Sequence, residues 1–187
     1  MSVTEQVAAE KVIASTRKTV FGNGFKEVVQ DIEEGIRGLY LEDDTPWVIG
    51  YSGGKDSSTC LQLVWSALAK LPQDQLKKPV YVISTDTMVE NPIVSLWVTE
   101  SLAKIGKAAQ EQGLPFEARQ LHPTVEDSFW VNLIGKGYPA PRPRFRWCTE
   151  RLKIRPSNKF ILDVVHNSGE VILVLGTRSA ESSVRAA

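Results

Sequence analysis

Apolar residues follow two alternating rhythms along this chain. Residues 47–51, 79–84, 115–121 and 170–175 are short runs bounded by proline, glycine or charged residues, the pattern of buried strands. Between them the spacing turns helical. Residues 57–70 set Leu61, Val64, Trp65 and Leu68 on one face, 92–112 form a long helix stopped by Gly113, and 155–167 form another. Strands that alternate with helices pair in parallel, so the pattern predicts an α/β fold built on a doubly wound, mostly parallel sheet. Upstream, residues 25–40 place Phe25, Val28, Val29, Ile32, Ile36, Leu39 and Tyr40 at helical spacing, with acidic residues opposite. Asp43, Asp44, Thr45 and Pro46 break that helix. The expected division is a helical segment over 1–45 and an α/β domain over 46–187. Because a parallel sheet rarely stops at its fourth strand, the domain is expected to be incomplete at its C-terminal end.

One stretch departs from the rhythm. Residues 121–155 are rich in proline, glycine and arginine with little periodicity, and a loop of that length in a compact domain is usually functional. Charge sharpens the point. The formal net charge is zero, yet residues 136–159 hold Lys136, Arg142, Arg144, Arg146, Arg151, Lys153, Arg155 and Lys159 against Glu150 alone. Residues 26–44 are the converse, with seven carboxylates against Lys26 and Arg37. The total therefore conceals a basic segment suited to phosphate. The two cysteines, Cys60 and Cys148, cannot build a disulfide scaffold. No leader-like apolar core opens the chain and no apolar stretch is long enough to span a bilayer, so a cytoplasmic protein without membrane partners is expected.

The candidate chemistry gathers after the strands. "GYSGGKDSS", residues 50–58, lies where the first strand passes into a helix, and open α/β sheets bind ligands at the carboxyl ends of strands. Gly53 and Gly54 let the backbone turn and approach a ligand with no Cβ between. Backbone N–H groups there, with the positive end of the following helix, can converge on an anion. Ser52, Lys55, Asp56 and Ser57 complete the turn, whose spacing is neither the ordinary nucleotide P-loop nor the dinucleotide fingerprint. "STDTMVENP" follows the second strand, where Ser84, Thr85 and Asp86 could meet a base, a ribose or a metal ion; Thr87 and Asn91-Pro92 also suit a helix start. "GTRSAESSVR" follows the fourth strand, where Gly176 permits close approach, Arg178 and Arg185 could grip phosphate, and Glu181 could orient an arginine or a metal. Lys153 and Arg155 join Arg178 as candidates for stabilising charge on phosphate.

Cys148 lies among Arg144, Arg146, Arg151 and Lys153, which favour a thiolate; a cluster ligand, a sulfur-carrying nucleophile and an inert side chain are all open. Cys60, within a helix on an apolar stretch, is expected to be an inert core residue. The arginine loop 138–146, with Trp130, Phe145 and Trp147 as stacking surfaces, could line a nucleotide site or touch nucleic acid. His122 could line the site; His166 is expected at the surface.

The S-G-G-x-D-S turn resembles the PP-loop of the ATP pyrophosphatases, and "WCTERLKIRP" resembles the cysteine-lysine-proline segment of the phosphoadenosine-phosphosulfate (PAPS) reductase group. Together with "STDTMVENP" and "VLGTRSAESSVRA", the blocks resemble the DndC family of DNA phosphorothioation, with the SspD family of the single-strand system next. The resemblance covers roughly residues 30–187. It implies an adenine nucleotide alpha hydrolase-like sheet, ATP and Mg2+ as cofactors, a 4Fe-4S cluster with Cys148 as one ligand, and release of pyrophosphate as a DNA phosphate is adenylated. It also implies a cysteine desulfurase as sulfur donor and other DNA phosphorothioation proteins as partners. A cluster needs about four thiolates, so two cysteines are not expected to assemble one, and the other ligands are expected after residue 187. A sulfonucleotide reductase and a non-catalytic nucleotide-sensing module docking through helix 25–40 remain open alternatives.

Overall fold

The computed structural model describes residues 24–177. Four parallel strands form one sheet in the order β3-β2-β1-β4, with β1 at Trp47–Gly50, β2 at Val80–Thr85, β3 at Phe116–Leu121 and β4 at Ile172–Val174. Trp47 pairs with Val80 on one side and with Ile172 on the other. Helices α2, Lys55–Leu68, and α3, Pro92–Gln112, carry the chain from β1 to β2 to β3 in one direction. Helix α4, Arg155–Ser168, returns it past β2 and β1 to β4. Two crossovers run one way and the third runs back, so the connections diverge between β1 and β4. That gap is where a doubly wound sheet opens a crevice.

The two faces of the sheet differ. Trp47, Ile49, Tyr51, Val80 and Val82 alternate toward Leu61, Val64 and Leu68 of α2 and Val98 and Leu102 of α3, forming the main core. The opposite face meets α4 through Tyr81, whose ring stands edge-on to Phe160 with centroids 5.4 Å apart, and through the hydroxyls of Thr85 and Ser157, 3.2 Å apart. Local chemistry fixes α3. Asn91 accepts a hydrogen bond from the Ile93 N–H, Pro92 occupies the first turn, and Gly113 ends the helix at φ 65°. The observed strand β4 is shorter than the expected 170–175.

Helix α1, Phe25–Glu42, is rotated from the orientation its apolar spacing predicts. Phe25, Ile32 and Leu39 are exposed, whereas Glu33 and Tyr40 are buried and Ile36 packs on the core. Specific polar contacts decide the rotation. The Tyr40 hydroxyl donates to the Lys78 carbonyl at 2.8 Å. Glu33 accepts from the Ser66 hydroxyl at 2.5 Å and from the Lys70 ammonium, both on or just after α2. Buried Lys78 in turn reaches Asp43 at 2.8 Å and lies over the Tyr40 ring, tying the end of α1 to the segment that leads into β2. No helix among the described residues is long and apolar enough to cross a membrane.

The expected irregular excursion is partly helical. A helical turn at Trp147–Thr149 runs into a π turn at Glu150–Ile154 and then into α4 without a break. Pro156 has no N–H to give the preceding turn, and the widened register lies directly before it. Trp147 is buried, not a stacking surface: its indole N–H donates to the Pro139 carbonyl at 2.9 Å and its ring stacks on Phe129. Trp130 and Phe145 are exposed. Cys60 is half-buried, because the inward face of α2 runs through Ser57, Leu61 and Val64.

The Glu33 cluster makes a stability prediction. Hydrogen bonds from Lys70 and then Ser66 outweigh burial and hold the Glu33 carboxyl below its ordinary range. A depressed carboxyl stabilises the fold above its unfolded pKa, and that stability is lost as pH falls through the folded value. Urea melts should therefore show Glu33→Ala less stable at pH 7 by about 1–3 kcal/mol, with the gap from wild type narrowing below about pH 4.

Candidate functional site

A cavity of about 500 Å3 opens at the carboxyl ends of the strands, where the connections diverge. Its wall is drawn from every layer: Gly50, Tyr51, Ser52 and Ser57 after β1, Ser84, Thr85 and Asp86 at the end of β2, Gly176 and Thr177 after β4, and Lys153, Ser157 and Asn158 around the start of α4. Ile83, Ile161, Leu173 and Leu175 line its apolar side.

The β1–α2 turn is shaped by its glycines and serines. Gly53 takes φ +72°, a conformation that an L side chain adopts only with strain. The buried Ser57 hydroxyl donates to the Gly54 carbonyl at 3.1 Å, receives the Ser52 N–H at 3.2 Å and lies 3.1 Å from the Ser52 hydroxyl. Ser57 thus holds the turn closed from inside. The Gly54 N–H donates to Ser52 Oγ at 3.4 Å, and no side chain caps the α2 N-terminus. The end of β4 comes so near that a Cβ on Gly176 would stand 2.7 Å from the Asp56 carbonyl oxygen.

Carboxylates mark the other rim. Asp86 accepts from the Met88 N–H at 2.8 Å and from the Ser95 hydroxyl at 2.9 Å, so it fixes the loop after β2 while facing the cavity. Glu90 reaches across to Lys153, 3.2 Å away. The lining therefore carries one ammonium against two carboxylates. Backbone dipoles and a bound cation must balance any polyanion seated there.

The structure brings together Ser52, Ser57, Ser84, Thr85, Asp86, Lys153 and Gly176 in this one cavity. Gly53, Gly54, Lys55 and Asp56 belong to the same turn but stand outside its lining. Arg155 faces a neighbouring cavity instead, because residues two apart on a helical run stand on nearly opposite sides: Lys153 turns one way, Arg151 and Arg155 the other. Cys148 is half-buried and lines neither cavity. Arg178, Glu181 and Arg185 lie outside the described residues. Ser157 and Asn158 carry no local motif and reach the site only through the crossover geometry, whereas Glu90 lies within "STDTMVENP" but is not singled out by it.

The chemistry of the donor set separates the two metal groups the resemblance implies. Among the described residues no three His, Cys, Asp or Glu side chains are grouped to hold a metal, and the chain has only two cysteines, so it does not fit an iron–sulfur cluster by itself. Asp86 and Glu90 are hard oxygen donors beside a cavity, which suits Mg2+ shared with phosphates.

No family model matches the chain. A curated relative, "Uncharacterized protein MJ0066" of Methanocaldococcus jannaschii, is 28% identical over 151 residues, covering 81% of this chain and 26% of the relative. The chain thus spans about a quarter of that relative's length. Among solved structures, the U34-tRNA thiolase NcsA from Methanococcus maripaludis with its 4Fe-4S cluster is similar, with a TM-score of 0.47, 17% identity, and coverage of 83% of this chain and 48% of that one.

Two glycine substitutions test the turn. Gly53→Ala should cost about 1–2 kcal/mol in denaturant melts from the left-handed backbone alone, with Val98 Cγ2 only 3.0 Å from the added Cβ adding to it. Gly176→Ala should displace the first turn of α2, read as large amide shifts at Asp56 and Ser57 in NMR spectra.

Proposed function

We propose that this chain is the nucleotide-binding part of a PP-loop ATP pyrophosphatase that activates a DNA backbone phosphate for sulfur incorporation, as in the DndC family. The observation that carries the reading is the glycine-hinged turn of residues 52–57, seated at the sheet's divergence point and opening with Lys153 into one nucleotide-sized cavity. A cavity of several hundred cubic ångströms with an apolar side and a few placed polar groups suits a nucleotide. The purine would lie against Ile83, Ile161, Leu173 and Leu175, and the triphosphate would run toward the turn.

In this reading the N–H groups of the turn and of the first turn of α2 bind the outer phosphates. Asp86, with Glu90 at the rim, would hold Mg2+, which neutralises phosphate oxygens when bound. Lys153 leaves Glu90 for the phosphates and stabilises charge that develops on them. A non-bridging oxygen of the acceptor phosphate attacks the α-phosphorus in line, a new P–O bond forms, and the bond to pyrophosphate breaks. The adenylated oxygen is then a far better leaving group. The terminal sulfur of a desulfurase-derived cysteine persulfide attacks the acceptor phosphorus, a P–S bond forms and AMP departs; a second thiol then cleaves the S–S bond, which leaves the phosphorothioate and a disulfide. No general base is required, because the acceptor phosphate already carries its charge. Cys148 is the candidate carrier of that sulfur. A cytoplasmic setting with other DNA phosphorothioation proteins belongs to the same reading.

Pyrophosphate release from ATP, followed in the presence of an oligonucleotide and a desulfurase, tests it. Lys153→Ala should lower the rate by about a hundredfold, and Ser57→Ala should raise the KM for ATP by loosening the turn. Release at the wild-type rate and KM in both variants would refute the assignment.

A further inference from the structure

A second cavity, of about 390 Å3, lies between the end of β3 and the start of α4, and the nucleotide reading leaves it unused. Leu121 and His122 at the end of β3, Thr124 and Asp127 after it, Arg151 in the π turn, and Arg155, Pro156, Lys159, Phe160 and Asp163 on α4 enclose it. Its centre is a brace. One oxygen of Asp127 accepts from Arg151 at 2.7 Å and from Arg155 at 2.9 Å. Burial raises the Asp127 carboxyl, but the two arginine hydrogen bonds outweigh it and hold the group below its ordinary range, so it stays charged.

The cations are not equivalent. Arg151 is committed: its second terminal nitrogen donates to the Tyr138 hydroxyl at 2.7 Å, and only 17% of its side chain is exposed. Arg155 is 48% exposed and, among the described residues, makes one hydrogen bond, to Asp127. Its Nε stands 3.7 Å from Glu150, beyond a good hydrogen bond. Lys159 is one helical turn further along the same face, and its ammonium has no hydrogen bond or ion pair among the described residues. Asp163, one turn beyond Lys159, repels an anion from the far end. An oxyanion therefore finds its partners at Arg155 and Lys159, with His122 in the same lining. Leu121, Pro156 and Phe160 supply an apolar floor that a bare inorganic ion has no use for. The exposed Arg142, Arg144 and Arg146 lie on the same basic segment.

We infer that this second cavity binds the acceptor, taking one phosphate of a nucleic-acid strand between Arg155 and Lys159 and its attached nucleoside on the apolar floor. The inference rests on the proposed function. It gives that reaction a separate seat for the acceptor, one π turn away from the nucleotide, with Lys153 on the nucleotide's side and Arg155 on the strand's.

Fluorescence anisotropy with a labelled single-stranded DNA oligonucleotide tests it, using inorganic phosphate as a competitor and measuring ATP affinity in parallel. Lys159→Gln, a change at an exposed position that leaves the fold intact, should weaken strand binding about three- to tenfold. It should also reduce the salt dependence by about one phosphate contact while ATP affinity is kept. Arg155→Gln should weaken strand binding likewise, and phosphate should compete at millimolar concentration. Lys104→Gln with Lys107→Gln, on the exposed side of α3, should change nothing. Wild-type affinity and salt slope in both cavity variants would overturn the inference, as would competition-sensitive phosphate binding with no binding of the strand. Failure of the wild type to bind ATP would instead sink the proposed function, so the two failures are separable.

Discussion

The close passage of the β4 end over the first turn of α2 is the constraint on which the site depends. A Cβ at Gly176 would meet the Asp56 carbonyl oxygen at 2.7 Å, so backbone lies on backbone there. That contact sets the turn of residues 52–57 against the divergence between β1 and β4. Ser57 then locks the turn internally, through the Gly54 carbonyl and the Ser52 N–H. The polar network has a consequence for chemistry. The hydroxyls that shape the turn are engaged with one another and with the Ser52 and Gly54 N–H groups, so an arriving polyanion meets the other backbone dipoles of the turn and cations brought in from other elements.

Those cations come from one helical run that sorts them by position. Residues two apart on a helix stand on nearly opposite sides, whereas residues four apart share a face. Lys153 therefore turns to the cavity at the β1–α2 turn, and Arg151 and Arg155 turn together to the second cavity. One strongly basic segment thus contributes to the walls of two cavities.

What could be read in advance follows the range of the interactions involved. The three main-sheet helices and their strands were legible because apolar spacing, Asn91-Pro92 and Gly113 are local signals, and the parallel α/β architecture followed from their alternation. The glycine turn was legible for the same reason. The orientation of α1 was not, since Glu33 finds Ser66 and Lys70 more than thirty residues away. Trp147 looked like a free aromatic because its partners, Phe129 and the Pro139 carbonyl, are brought to it by a loop without periodicity. The separation of Lys153 from Arg155 was hidden for a different reason: the apolar spacing starts the helix only at residue 155, whereas the helical run begins at Trp147 and sets residues two apart on opposite sides.

The central claim is that the turn of residues 52–57 receives the phosphates of ATP on backbone N–H groups. Amide chemical shifts recorded while Mg2+ and a non-hydrolysable ATP analogue are added test this most directly. The account predicts the largest perturbations at Gly53, Lys55, Asp56 and Ser57, with smaller ones at Ser52 and Gly54, whose N–H groups the serines of the turn already hold, and at Gly176 and Lys153. Saturable binding that leaves those amides unmoved, with the changes confined to other parts of the sheet, would contradict it.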